Sequence, residues 1–364
     1  SNMEWSVAQS TGGVGEIDGM QSQGLRLLNL VGGARGSSRE YGIEHLERLD
    51  PSRFSVGTWE HASENSVEEF SAVAWFFAVE LQRRLKVPVG VICPAVGGTP
   101  TEAWVSREAL ALDPNLRGMV RGNWLDNERL SDFCRMRGEQ NLLSAIQAGE
   151  LIPGDFLGPN HSFKPGFMWQ AGIEPLIPYA IRGVVWYQGE SNAETLERTR
   201  EQARLFPLLI REWRKAWGIG DFPFMFVQLP ALNRPAWPLF REVQRRIQQK
   251  LTNVEMAVTM DVGHPSNVHP PEKRTVGQRL AGLALSKTYA VQRDLLHAGP
   301  VVSDVQFNGG AVVVTFKHVG EGLKVSDGRA LRHFEVAGSD GIFFAAMANI
   351  DGTHRVKVGS DNIV

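Results

Sequence analysis

Gly183-Val184-Val185-Trp186-Tyr187-Gln188-Gly189-Glu190-Ser191-Asn192 joins an apolar run of strand length to a tight group of amide, carboxyl and hydroxyl side chains. A short continuous apolar run closed by glycine and polar residues reads as a β-strand buried on both faces. In open α/β sheets ligands bind beyond the carboxyl ends of the strands, so the residues that close this run are the first place to look for chemistry. One amide at a strand end says little, because amides there also cap backbone groups. Gln188, Glu190, Ser191 and Asn192 within five residues say more.

The same grammar recurs on either side. Upstream, Val67, Phe70, Ala74, Phe77, Leu81 and Leu85 follow a three-and-four spacing that predicts a helix over 66–85, with Ser66 and Glu69 as its capping box. Pro88 ends it, and Val89-Gly90-Val91-Ile92-Cys93 reads as a second buried strand, closed by Val96-Gly97-Gly98-Thr99. Downstream come a helix from about Leu196 to Trp217, which Pro207 is expected to kink or break, and a strand Phe224 to Gln228. A helix around Phe240 to Leu251, a strand Val254 to Thr259 and a helix beginning after Pro270-Pro271 complete the series. Such β/α alternation predicts an α/β fold with a parallel sheet and helices on both faces. Residues 111–164 show weak periodicity and are expected to form an irregular insertion that shapes a pocket. From Gly299 the chain changes to short alternating segments, which predicts a small β-rich C-terminal appendage. The expected division is 1–296 and 297–364.

Composition excludes several classes. Hydrophobic residues make up 43% and charged residues 21%, the balance of an ordinary globular protein. The net charge is -2 with no long basic run, so nothing supplies the electrostatic footprint of a nucleic-acid binder. No stretch reaches transmembrane length and no signal peptide opens the sequence, so no membrane partner is expected. Cys93 and Cys134 are too few for a disulfide framework, although one bridge stays open; Cys93, at the end of an apolar run, reads as a buried strand cysteine.

Four strand ends carry polar candidates. The Gly97-Gly98 pair is either a tight turn or a place where backbone N–H groups approach a ligand. Gln188 and Asn192 have amide donors suited to a developing oxyanion, and Glu190 could orient a neighbour or contact substrate. Gln228 closes its strand, and Asp261 to His269 follow another. His269 lies where a side chain can point over a sheet edge toward a nucleophile, with His264 as a competitor. Asp261, Glu190 and the two histidines lack any recognised metal-ligand spacing, so no metal is expected. Ten tryptophans against four tyrosines divide between core packing and sugar stacking, with Trp169, Trp104 and Trp59 as candidate sugar-site residues.

In order, these motifs resemble the sialate O-acetylesterase branch of the SGNH hydrolases. Ser1-Asn2-Met3-Glu4-Trp5 resembles the nucleophile block, without the Gly-Gln pair and the strand that precede it in that family. Phe70 to Ile92 with Gly97-Gly98-Thr99 and Glu102-Ala103-Trp104 resembles the second block, and Trp186 to Ala193 is the most specific match. Arg241-Glu242 with Gln244, then His269-Pro270 with Lys273 and Gly277 to Ala281, continue it. The resemblance implies a flavodoxin-like three-layer α/β/α domain and a carbohydrate acetylesterase, secreted or periplasmic, without cofactor. It implies Ser1 as nucleophile, His269 as base, and an oxyanion held by the N–H groups of Ser1 and Gly97, the Gln188 side chain and, as an additional donor, Asn192. The family's acid position holds Ser266 here, so Asp261 stands as candidate third member beside a Ser-His dyad oriented by a backbone carbonyl. The substrate would be an acetylated sugar, of sialate or plant-polysaccharide type. A protein that binds carbohydrate in the same cleft without catalysis is the alternative. The missing strand before Ser1 and the lack of a closing strand in the tail lead us to expect a chain cut at both ends.

Overall fold

A computed structural model describes residues 2–34, 40–291, 299–308 and 310–361. The chain divides into two compact units, Ser1–Tyr289 and Ala290–Val364. The expected boundary at 296/297 falls within 292–298, outside the described residues.

The first unit is α/β. Strand β1 (Gln21–Asn29) lies between β2 (Trp59–Ser63), which it pairs antiparallel, and β3 (Val89–Cys93), which it pairs parallel with Leu25 opposite Val89 and Asn29 opposite Cys93. A second, fully parallel array places β5 (Phe224–Val227) between β4 (Val184–Trp186) and β6 (Val254–Ala257). Alternation explains why β5 is apolar at every residue. Phe224 and Phe226 join a cluster with Trp186 and Trp213, whereas Met225 and Val227 join one with Tyr187 and Leu280, so both faces are covered. The facing strands β3 and β4 line a largely apolar cavity of about 550 Å³ whose polar end reaches Thr99 and Gln188.

Helix α1 (Ala72–Leu85) begins six residues later than the apolar spacing predicts. Ser66 is instead part of a capping box with Ser63 on the short helix Glu64–Glu68. The helical run is interrupted because the N-terminal segment takes the backbone groups there. Ala8 N–H donates to Glu68 O, Val7 N–H to Phe70 O, and Ala72 N–H to Trp5 O. Ser71 then caps α1 by accepting from Ala74 N–H.

The 111–164 segment is less irregular than its periodicity suggests, because it contains α2 (Asp132–Ala148). The buried positions of α2, Cys134, Gly138, Asn141, Leu142 and Ala145, have helical spacing, but two of them are not apolar. Gly138 is required by proximity: a Cβ there would lie 2.2 Å from the Trp124 ring. Of the kink or break expected at Pro207, the break does not occur: helix α3 (Leu196–Trp217) is continuous through it. Its buried aromatic and aliphatic stripe offsets the missing N–H. Helices α4 (Trp237–Lys250) and α5 (Arg274–Leu283) follow, α5 starting after both prolines, with Lys273 as its N-cap residue. Gly277 lets α5 seat against α1, since a Cβ there would meet Phe76 Cβ at 2.6 Å and Val73 O at 2.8 Å. This contact fixes the root of the loop that carries His269.

Cys93 and Cys134 are both buried and no disulfide joins them. Among the described residues no helix is long and apolar enough to cross a membrane. The second unit is a five-stranded antiparallel sheet of β7 (Val301–Asn308), β8 (Ala311–Lys317), β9 (Phe334–Ala337), β10 (Phe343–Asp351) and β11 (Arg355–Gly359), in the order β7-β8-β11-β10-β9. Its core is small, centred on Ala348, Val356 and Val358.

Candidate active site

Ser1 lies outside the described residues, and the site is built from Asn2 onward. Asn2 is fully buried. Its amide nitrogen donates to Glu190 Oε1, just beyond β4, and to the Val268 carbonyl at 2.9 Å, while its amide oxygen accepts from Lys273 Nζ. One side chain thus links the residue next to Ser1 with the β4 loop and with the residue before His269. Glu190 is fixed in turn, its Oε2 accepting from Gly189 N–H at 2.9 Å. A Cβ at Gly189 would meet the Phe240 ring at 2.6 Å, which keeps that turn glycine.

The loop between β6 and α5 presents His269. His264 Nδ1 accepts from Asn267 N–H at 2.9 Å and from Ser266 N–H at 3.2 Å, so this second histidine organises the loop. Asn267 Oδ1 accepts from His269 N–H at 2.9 Å. The His269 ring is half-buried, 5.7 Å from the Trp5 ring between centroids. Burial, reinforced by nearby positive charge that includes Lys273, pushes its pKa down to about 4. A ring neutral at pH 7 is able to accept a proton. Asp261 does not orient it. Both Asp261 oxygens accept from the Arg279 guanidinium at 2.6 Å, and this pair holds the carboxyl below its usual range. The acid nearest in sequence is spent on a surface ion pair with α5.

On the other side of Glu190 the polar groups are neutral amides backed by a buried ion pair. Gln188 Nε2 donates to the Thr99 carbonyl at 2.9 Å and to Asn192 Oδ1 at 3.0 Å, and its Oε1 accepts from Thr101 Oγ1. Asn192 Oδ1 also accepts from Thr101 N–H at 2.9 Å, while Asn192 Nδ2 donates to Glu102 Oε2 at 2.9 Å. Asn192 is 1% exposed and, like Gln188, directs its amide to protein groups, its Oδ1 accepting from Gln188. Glu102, 1% exposed, pairs with the buried Arg198. Ser191 Oγ donates to Gly98 O at 2.8 Å, tying the turn after β3 to the loop after β4. Gly98 has φ +78°, and a Cβ there would meet Phe163 at 2.7 Å, so the turn reading of the pair holds for Gly98, with Gly97 part of the same turn.

The tryptophan candidates separate. Trp104 and Trp169 are buried at 4% and 8% exposure, and Trp104 donates to Thr99 Oγ1 while packing edge-on against Trp186. They are core residues, not sugar platforms. Trp59 is partly exposed and stacks on Tyr179. Gln228 donates to the Arg241 carbonyl, and Gln244 accepts from Leu229 N–H and donates to Val227 O, so these residues join α4 to β5. Among the described residues no group of three His, Cys, Asp or Glu is placed to hold a metal.

Sequence reasoning gave no role to Asn2, Glu102, Arg198 or Lys273, although three of them lie in the quoted motifs. Lys273 is the clearest omission. It is fully buried, with its ammonium 5.7 Å from the Trp5 ring centre and 5.4 Å from that of Tyr187, and burial brings its pKa down to about 7. A lysine directly downstream of a histidine-proline pair is the only local signal.

Residues 169–286 match the family described as carbohydrate esterase, sialic acid-specific acetylesterase. The chain is 30% identical over 335 residues to a sialate O-acetylesterase of Rattus norvegicus, covering 84% of this chain and 58% of that protein. It is 28% identical to the sialate O-acetylesterase of Mus musculus over the same span. It thus spans little more than half the length of these curated relatives. Among solved structures it superposes on a carbohydrate acetylesterase from Xanthomonas citri with a TM-score of 0.76 and 29% identity, covering 100% of this chain and 71% of that one.

Proposed function

We propose, from the chain's similarity to sialate O-acetylesterases and the geometry of its site, that the protein is a carbohydrate O-acetylesterase working through an acetyl-serine intermediate. The observation that carries this reading is the Asn2 carboxamide, which binds at once to the β4 loop and to the residue before His269. It brings the chain next to Ser1 together with a histidine that is neutral at physiological pH.

His269 takes the proton from the Ser1 hydroxyl as its oxygen attacks the acetyl carbonyl carbon. The tetrahedral oxyanion is held by the N–H groups of Ser1 and Gly97 and by Gln188, which exchanges its bond to the Thr99 carbonyl for one to the oxyanion. As the intermediate collapses, the sugar oxygen leaves with the proton from His269. Water then attacks the acetyl-serine carbonyl, His269 again receiving and returning the proton, and acetate is released. With Asp261 engaged by Arg279, the site works as a Ser-His dyad. Glu190, bound to Asn2, acts in holding the site and not as a sugar ligand.

The same reading makes the two arrays, whose edge strands β3 and β4 face one cavity, parts of the single central sheet of a flavodoxin-like three-layer α/β/α domain, and makes the first unit the catalytic one. Acetylated glycans, of sialate or plant type, would be met in a secreted or periplasmic setting. The test is hydrolysis of 4-nitrophenyl acetate by the protein and by Ser1→Ala and His269→Ala. Both variants are expected to lose about 10³-fold or more in kcat. Unchanged rates in either would remove that residue from the chemistry, and no hydrolysis by the parent protein, with sugar still bound, would favour a cleft that only binds.

A further inference from the structure

Asn2 is adjacent in sequence to Ser1, and Val268 to His269. The two pairs are separated by the whole length of the first unit, and one buried carboxamide joins them. Its two N–H donors go to Glu190 Oε1 and the Val268 carbonyl, and its oxygen accepts from Lys273 Nζ. Every hydrogen-bonding atom of the group is therefore used in a way only a carboxamide satisfies. A carboxylate would set oxygen against oxygen at two of the three contacts, and a shorter side chain would not span them.

The partners are themselves fixed. Glu190 is held by Gly189 N–H, and Lys273 is enclosed by the Trp5 and Tyr187 rings at the start of α5. Burying a lysine beside a partly buried glutamate around one amide is a poor way to gain stability, because desolvation offsets most of their attraction. It is an effective way to fix geometry.

We propose that Asn2 is a positioning residue, whose carboxamide, clamped between Glu190, Val268 and Lys273, holds the loop before His269 in register with the β4 loop and with the N-terminal segment. This rests on the Ser-His reading above. Displacing reacting groups by about 1 Å costs on the order of 10²-fold in rate, and that is the loss expected when the clamp opens.

The experiment compares Asn2→Asp, Ser1→Ala and His269→Ala in 4-nitrophenyl acetate hydrolysis, with thermal unfolding of each. Asn2→Asp is expected to lower kcat about 100-fold, leaving KM within about threefold. Adding Glu190→Gln, whose amide can donate to the new carboxylate, should recover about tenfold of that loss. A role confined to stability would lower the melting temperature without that split and without rescue. If Asn2→Asp does not fold, Asn2→Ala, which leaves the Lys273 and Glu190 charges balanced, carries the same expectation for kcat. A folded Asn2 variant within about threefold of the parent, in a protein that Ser1→Ala and His269→Ala inactivate, overturns the clamp. Full activity in Ser1→Ala or His269→Ala instead overturns the Ser-His reading on which it stands.

Discussion

The two sides of the site are built from different materials. On the amide side, Gln188, Asn192, Thr99 and Thr101 satisfy one another at 2.9–3.0 Å, and the Glu102–Arg198 pair beneath them is almost inaccessible. On the histidine side, the His269 ring is half-buried, its loop is held through backbone groups by Asn267 and Asn2, and the buried Lys273 stands nearby. Neutral, fully paired groups make a rigid donor frame, which is what stabilising an oxyanion requires. A partly exposed ring beside a buried charge makes a base whose proton affinity is set by its surroundings. The difference teaches that one side is specified by hydrogen-bond geometry and the other by electrostatics, and the two should break differently.

The largest effect is expected beneath the amide side. Glu102→Ala leaves the buried Arg198 with Glu201 as its remaining acidic partner and removes the acceptor for Asn192, so urea unfolding should show a loss of about 3–5 kcal/mol. A loss below about 1 kcal/mol would mean that the frame does not depend on this pair. Gln188→Ala should cost about 10²–10³-fold in kcat with KM little changed, the signature of a group that acts in the transition state. A change confined to KM would make Gln188 a ground-state contact instead.

On the histidine side the signature is in pH. The wild-type acid limb of kcat/KM should fall near 4, because His269 stays neutral and basic down to its lowered pKa and is lost as a base below it. Lys273→Met removes a positive neighbour, so the His269 pKa should rise and activity should be lost at a higher pH than in the parent, in addition to any fall in kcat. An unmoved limb would show that Lys273 does not contribute to the lowered pKa of the ring. The smallest effect is expected at Asp261. Asp261→Asn breaks a surface pair with Arg279 worth about 0–1 kcal/mol and should leave kcat within about twofold. A fall approaching 10⁴-fold would restore Asp261 as the triad acid.

The parts legible in the sequence are those whose causes are local. The helix read over Leu196 to Trp217 has those bounds in the structure, because its apolar stripe lies within it and its Thr195 cap and Gly218 stop directly flank it. Strand β5 was equally plain from four consecutive apolar residues. Helix α2 was hidden because its buried face includes Gly138 and Asn141, chosen by contact with distant groups and not by hydropathy. The site divides in the same way. Gln188 and His269 stand out at strand ends, but the Asn2 contacts span the first unit, and nothing local marks Asn2 as buried. Proximity in sequence misled at Asp261, whose partner Arg279 comes into reach only through the packing of α5.

The central claim is that Ser1 is acylated with the help of His269. Incubation with a fluorophosphonate ester, followed by peptide mapping, tests it most directly. The account predicts one stable adduct, on Ser1, with parallel loss of esterase activity, and strongly slowed labelling in His269→Ala. An adduct on a different residue, or continued turnover by the fully labelled protein, would contradict it.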